Sequence, residues 1–499
     1  VKRTLELALS GLAVACLLGA LLSPYRHGGA LRVLDAELAN SDFGAFYCAA
    51  AVARDLGDPY ALEPLKTCET ARVYGPGGKS FASQGIDPAP LPAYDFALFV
   101  PFTYLPYRVA AVLWTGLLVA ATLGGAVLLA RLASVPFWLV LAAFAYTNGI
   151  ASFAYGQVEP LIMLALVGAA ALLRAGRSWG AALALSATWL EPHVGLTAVL
   201  ALFVWQPAAR VTILLAGAGI AMLALALYGP AINLEYLGAV LPAHAFAEIT
   251  LNFQYSLTSL LYTLGMPGTI ALRIASLQYA AFVVLGVALA GPLARRLGVP
   301  ALVFFPAACA VTGGPYMHIQ QIAGALPLGL YLAGRVAPVA RWAWLGTLLV
   351  ALPWPAYGAS VPLLISDALL VGGALFAAIP AQGPGFRAAA AAAAFALYLA
   401  SAPAIGRLPA TDMRVLDPPA SVAEAGLDRR LASAEYAVET RTPGAFEEST
   451  PRQLAARVPT WVGLLVLLAA ACAALRLRGA EPAREPANLS GSSAVIAKR

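Results

Sequence analysis

Six ionisable residues stand in otherwise apolar runs of this sequence: Glu159, Glu191, His193, Arg273, His318 and Asp367. A charged group near hydrocarbon costs roughly 2.5 to 3.5 kcal/mol on insertion scales, so such residues mark polar cavities more often than lipid-facing surface. A seventh, Asp42, opens the stretch Asp42-Phe43-Gly44-Ala45-Phe46-Tyr47, in which Phe43, Phe46, Tyr47 and Ala50 recur at helical spacing. A lone carboxylate can take a proton from an attacking hydroxyl, and an imidazole can relay it or, once protonated, pair with an anionic leaving group. Transfer of a group from a phosphate leaving group to a hydroxyl needs those two functions and little else.

The elements that must position these residues are membrane helices. Of 499 residues, 61% are apolar and 11% charged, with mean hydropathy +0.78, where a soluble protein carries roughly 25% charged residues. That balance excludes a soluble globular enzyme. Apolar windows recur from 5–22 to 458–475, giving an all-α, polytopic fold of about fourteen candidate transmembrane or re-entrant helices with juxtamembrane helices on the outer face. The first window follows Lys2 and Arg3 but lacks a small-residue cleavage site, so it reads as a retained helix, not a signal peptide.

Alternation from a cytoplasmic N-terminus places Arg131, Arg174, Arg177, Arg210, Arg295, Arg296, Arg335, Arg341 and Arg387 inside, and returns the C-terminus to the cytoplasm. The net charge of +6 is thereby a topology signal, with no call for nucleic acid. On the outer side fall the long loops 23–108, 229–269 and 405–457, together with the outer ends of the spans that carry the six ionisable residues. Their shared side points to a cavity opening outward. The runs 179–190 and 194–205, joined by Glu191-Pro192-His193, are too short for two full crossings and fit irregular backbone lining that cavity.

Five cysteines form no CxxC and no Cys/His cluster, so no metal site or redox motif is expected. Cys48 and Cys68 share the first outer loop, in a compartment that permits a disulfide; closing that loop contributes roughly 3 kcal/mol in the chain-entropy model.

The order of short motifs resembles glycosyltransferase family 87 of the C-type glycosyltransferase (GT-C) superfamily. The opening match is Asp42-Phe43, then Tyr47 and Ala49-Ala50, then Gly57-Asp58-Pro59-Tyr60. After it come Pro101 and Leu105-Pro106-Tyr107, Gly156-Gln157-Val158-Glu159-Pro160, Leu190-Glu191-Pro192-His193, Asn252-Phe253-Gln254-Tyr255-Ser256-Leu257 and Gly314-Pro315-Tyr316-Met317-His318. The resemblance covers about residues 1 to 340. It implies an inverting membrane glycosyltransferase that takes a sugar, mannose in the first instance, from a polyprenyl phosphate donor to a glycolipid or glycan acceptor on the extracytoplasmic face of the inner (plasma) membrane. In the family the acid of the first outer loop is the catalytic base, which falls on Asp42, and the histidine after the Pro-Tyr turn falls on His318. Tyr47, Gln157, Glu159, Glu191, His193, Gln254 and Arg273 are the expected substrate contacts. Many relatives carry lysine where this chain has Glu191, so either Arg273 or another basic residue takes over the donor phosphate or the donor sits differently.

On this reading residues 1–404 form the catalytic membrane module, 405–457 an extracytoplasmic helical cap or tether, 458–478 the last transmembrane helix and 479–499 a disordered cytoplasmic tail. No cofactor is required beyond the lipid-linked donor. Two other classes fit many spans with intramembrane charge: a transporter or lipid flippase, and a silent partner that keeps the fold without the activity.

Overall fold

The computed structural model describes residues 2–22, 42–74, 86–249, 254–354, 360–408, 428, 430–439 and 450–476. The motif residues Asn252 and Phe253, most of 405–457 and the tail 479–499 lie outside them. Every regular element among the described residues is helical, with isolated bridges pairing Ala61 with Leu431 and Gln254 with His318.

Numbering the α-helices of seven residues or more, α1 (Lys2–Leu22) leads to α2 (Asp42–Arg54) and α3 (Leu62–Cys68). Next come α4 (Tyr107–Ala133), α5 (Phe137–Tyr155), α6 (Glu159–Arg174), α7 (Ser178–Ser186), α8 (Pro192–Trp205) and α9 (Arg210–Glu235), which kinks at Gly229. Then α10 (Leu241–Glu248) and α11 (Leu257–Thr263) precede α12 (Gly268–Leu297), α13 (Ala301–Gly313), α14 (Leu326–Arg335) and α15 (Ala340–Ala351). Last are α16 (Val361–Ala378), α17 (Pro384–Gly406), α18 (Ala432–Glu439) and α19 (Thr450–Arg476).

Among the described residues eight helices are long and apolar enough to cross a membrane, nine if the pair α14–α15, bent by 115°, counts as one span. The shorter apolar runs fold as helices such as α7, α8 and α13, of 9, 14 and 13 residues. At about 1.5 Å per residue these reach only about 14 to 21 Å, against a hydrocarbon core of ~30 Å. They are sustained by packing inside the protein: in α13 the whole run from Ala301 to Val311 is buried.

The helices share a polarity. α4, α6, α12, α14 and α19 each end in arginine, at Arg131, Arg174, Arg295 and Arg296, Arg335 and Arg476, where a cation complements the helix dipole. Their first turns lie at the end that carries Asp42. Tyr107 stacks on Phe43, and Trp461 near the start of α19 donates to the Tyr255 carbonyl at 2.8 Å. The last-turn arginines of these five helices thus lie at the end opposite the candidate site, while Arg54, Arg430 and Arg457 stand on its own side.

One sequence expectation needs correction. The pattern of α2 reads as an amphipathic helix lying on the membrane, but ten of its thirteen residues are buried. Segment 93–105 and α3 cover the face that alanines would otherwise leave open. Phe43 is clasped by Phe99, Phe102, Tyr107 and Trp114, with ring centroids 5.6 to 6.3 Å away. Cys48 of α2 is joined to Cys68 at the end of α3 by a disulfide, with Cα atoms 5.6 Å apart. α3 is tied in turn to the C-terminal outer segment, where the Leu62 amide donates to Arg430 at 2.7 Å and the Ala432 amide to Tyr60 at 3.0 Å.

Candidate active site

Asp42 is half-buried in the first turn of α2. What brings a partner to it is the turn between α5 and α6. Gly156 adopts φ +71° there, and a Cβ at this position would sit 2.6 Å from the Cβ of Phe43, so only glycine lets the turn press against α2. The Trp114 indole pins the turn by donating to the Gly156 carbonyl at 2.7 Å. Gln157, the next residue, donates its amide to Asp42 Oδ2. Glu159, two residues on, begins α6 at 4% exposure, with its carboxyl beside that of Glu191.

The α7–α8 turn contributes Glu191 and His193. Its close packing also depends on a glycine, since a Cβ on Gly195 would lie 2.1 Å from the Thr188 hydroxyl. Opposite stands the 314–321 segment. Its backbone is bound to 254–255 by the Tyr255 amide donating to Met317 at 2.6 Å and the Met317 amide donating to Gln254 Oε1 at 3.0 Å. His318 Nε2 is 3.0 Å from Glu248 Oε2, and Gln254 Nε2 donates to the same oxygen at 2.5 Å. The His318 amide donates to Gln321 Oε1 at 2.8 Å, while Gln321 Nε2 donates to Glu191 Oε2 at 2.8 Å and lies 3.1 Å from His193 Nε2. A continuous polar chain therefore runs Glu248, Gln254, His318, Gln321, Glu191, His193, with Asp42 in electrostatic contact with His318, Glu248 and Glu191.

This setting shifts the charges. Burial pushes Asp42 up to about 8, with the neighbouring Asp87 carboxylate adding to the rise and His318 opposing it. Burial works against a charge on His318, but the Glu248 carboxylate, by its charge and by hydrogen bonding, outweighs burial and raises His318 above its ordinary value. Burial would likewise raise Glu248, yet His318 and His244 hold it below the usual glutamate range. The result is an imidazolium–carboxylate pair facing a carboxyl that titrates near neutrality. Among the described residues no lysine or arginine lies within salt-bridge distance of Asp42, Glu159, Glu191 or Glu248, and no cluster of three metal-ligating side chains occurs.

Of the expected contacts, Gln157, Glu159, Glu191, His193 and Gln254 converge on Asp42 and His318. Two do not. Tyr47 donates to the Leu105 carbonyl at 2.9 Å and packs edge-on against Tyr107, and Arg273 is exposed on the second turn of α12. Asp367 lies elsewhere, accepting a 3.0 Å hydrogen bond from Tyr398.

Sequence reasoning passed over Asp87, Asp95, Glu248 and Gln321. Glu248 was findable, being four residues after His244 on one helix face. His244, which reads in sequence as an exposed loop histidine, is part of α10, pairs with Glu248 at 3.2 Å and stacks on Tyr436 of α18. Asp95 is 1% exposed, with burial and then Glu191 holding it well above the usual aspartate range.

Residues 92–317 match the family model of glycosyltransferase family 87. The match spans a little under half of the chain, and through this segment the chain is similar to glycosyltransferase family 87. The matched glycosyltransferase segment contains Gln157, Glu159, Glu191, His193, Glu248 and Gln254 and stops one residue short of His318; Asp42 precedes it. No curated protein and no solved structure matches the chain. The match supports a membrane glycosyltransferase over the transporter and flippase reading.

Proposed function

We propose that this glycosyltransferase moves a sugar, mannose in the first instance, from a polyprenyl phosphate to a glycolipid or glycan acceptor, with inversion, Asp42 acting as general base. The observation that carries the reading is Asp42 set among Gln157, Glu191 and the His318–Glu248 pair, at the end of the bundle opposite the last-turn arginines of α4, α6, α12, α14 and α19. Because arginine-rich ends belong on the cytoplasmic side, the site faces the extracytoplasmic side, with both termini cytoplasmic.

The acceptor hydroxyl gives its proton to the Asp42 carboxylate while its oxygen bonds to the anomeric carbon. The bond from that carbon to the donor phosphate oxygen breaks, and the electron pair leaves with polyprenyl phosphate. A carboxyl that titrates near 8 is a stronger base than an ordinary aspartate and better matched to a hydroxyl. His318, held cationic by Glu248, meets the growing charge on the leaving phosphate. This answers the departure at Glu191: the cation that relatives place there as lysine is supplied here by imidazolium. Gln157 orients Asp42, and Glu159 and His193 offer hydrogen bonds to sugar hydroxyls.

The test is transfer by the purified full-length protein in lipid nanodiscs, using radiolabelled polyprenyl phosphate mannose and membrane glycolipids. Asp42→Asn should lower kcat by roughly 10²- to 10⁴-fold, the usual share of a general base, with little change in donor binding. Absence of transfer from any polyprenyl phosphate sugar, or full activity of Asp42→Asn, would overturn the proposal and favour the silent partner.

A further inference from the structure

At the arginine-rich end, remote from the candidate site, the bundle holds a cavity of about 500 Å³ that opens at the surface. That is within the range of small-molecule sites, ~300 to 1,000 Å³. Its walls are apolar, including Val135, Trp138, Trp344 and Phe376, with Gly334 and Gly372 opening space between them. α14 and α15 bend sharply at this place, and α16 closes the far side.

Two arginines adjoin the lining residues. Arg335 follows Gly334 and donates its Nε to the Leu132 carbonyl at 2.9 Å. Arg387 donates to the Phe376 carbonyl at 3.3 Å and lies 4.9 Å over the Phe376 ring, while its own Nε is buried and without a hydrogen-bond partner among the described residues. Arg131 and Arg341 flank the same opening in sequence, and segments 131–139, 333–344 and 372–387 contain no acid at all. An apolar slot between membrane helices with a guanidinium rim matches a lipid tail joined to an anionic headgroup.

We infer that this cavity binds one acyl chain of an anionic phospholipid, with the headgroup phosphate against Arg387 and Arg335. The site is separate from sugar transfer and does not depend on that assignment. It is tested on the full-length protein by native mass spectrometry after equilibration with phosphatidylglycerol, phosphatidylcholine or polyprenyl phosphate. Phosphatidylglycerol should be retained at least tenfold over phosphatidylcholine. A Cβ on Gly372 meets nothing within 4 Å, so Gly372→Leu can extend a side chain into the slot and should abolish the preference. Arg335→Gln with Arg387→Gln should do the same while leaving the slot open, and Arg407→Gln, an exposed arginine at the opposite end, should change nothing. Equal retention of the two phospholipids, unchanged retention by Gly372→Leu in protein whose thermal unfolding is unaltered, or selective retention of polyprenyl phosphate alone would refute the assignment.

Discussion

Asp42 offers the sharpest test because its chemistry and its titration are tied together. An ordinary aspartate is ionised above about pH 4, so a base of that kind leaves the rate flat across the neutral range. Burial and Asp87 place Asp42 near 8 instead. Ionised Asp42 then amounts to about one-tenth at pH 7, one-half at pH 8 and nine-tenths at pH 9. Only the ionised form accepts a proton, so activity is lost as pH falls through 8. kcat/KM should drop about tenfold per unit below pH 7 and rise about fivefold from pH 7 to pH 8.

Asp87→Asn removes the like charge while keeping shape, and should draw this acid limb downward. The gain at pH 7 has a ceiling of about elevenfold, reached when Asp42 is wholly ionised, and burial as the larger cause keeps the true gain below that. The assay is kcat/KM for sugar transfer from pH 5.5 to 9.5 in nanodiscs of uncharged lipid, wild type against Asp87→Asn. Because Asp42 and His318 interact, the limbs are apparent values of the pair. A profile with no acid limb between pH 6 and 9, or an upward move of that limb in Asp87→Asn, refutes the reasoning.

Three further outcomes follow from the geometry. Glu248→Gln removes the carboxylate that keeps His318 charged; a hydrogen bond to a charged group is worth roughly 1.5 to 3 kcal/mol, so kcat/KM should fall about 10- to 150-fold, and the protonated state should be lost at lower pH than in the wild type. Gly156→Ala forces a Cβ against Phe43 at a positive φ, which should cost about 1 to 3 kcal/mol, read as a lowered unfolding temperature together with impaired transfer. Cys48→Ser opens the link between α2 and α3 and should lose roughly 3 kcal/mol on the chain-entropy model, with reductant producing the same fall in wild type and none in the variant.

Much of this was legible from sequence because the bilayer imposes coarse rules. Apolar runs, arginines at one set of helix ends and glutamate–proline breaks each have a single physical meaning in a membrane, and they led to helices with acids gathered at one end. Motif order brought Asp42, Gln157, Glu159, Glu191, His193, Gln254 and His318 into one frame before any fold was seen. Periodicity failed where tertiary packing decides. Alanines on the back of α2 look solvent-ready, yet segment 93–105 covers them. Tyr47 is polar at its tip, but its hydroxyl is taken by Leu105. The spacing of His244 and Glu248 is legible, but that Glu248 and Gln321 reach His318 is not, because the pairing of 254–255 with 317–318 joins residues about sixty positions apart and nothing local announces it.

On the proposed function, the pairing also accounts for how an acid-rich cluster could receive an anionic donor. Asp42, Asp87, Glu159, Glu191 and Glu248 lie close together, and like charges in a poorly hydrated space cannot all ionise. A fixed guanidinium would lock the nearest carboxylate into an ion pair and lower its basicity. Imidazolium avoids this, because its charge depends on Glu248, which is itself spoken for by Gln254 and His244. Among the described residues Asp42 is therefore left without a lysine or arginine beside it and stays basic, while on the proposed function the positive charge is directed at the place where phosphate would depart. Exchanging His318 for lysine would supply more charge and a poorer base in the same step. On this account the chamber trades electrostatic strength at the phosphate for basicity at the acceptor, and the acid limb of the pH profile is the signature of that division.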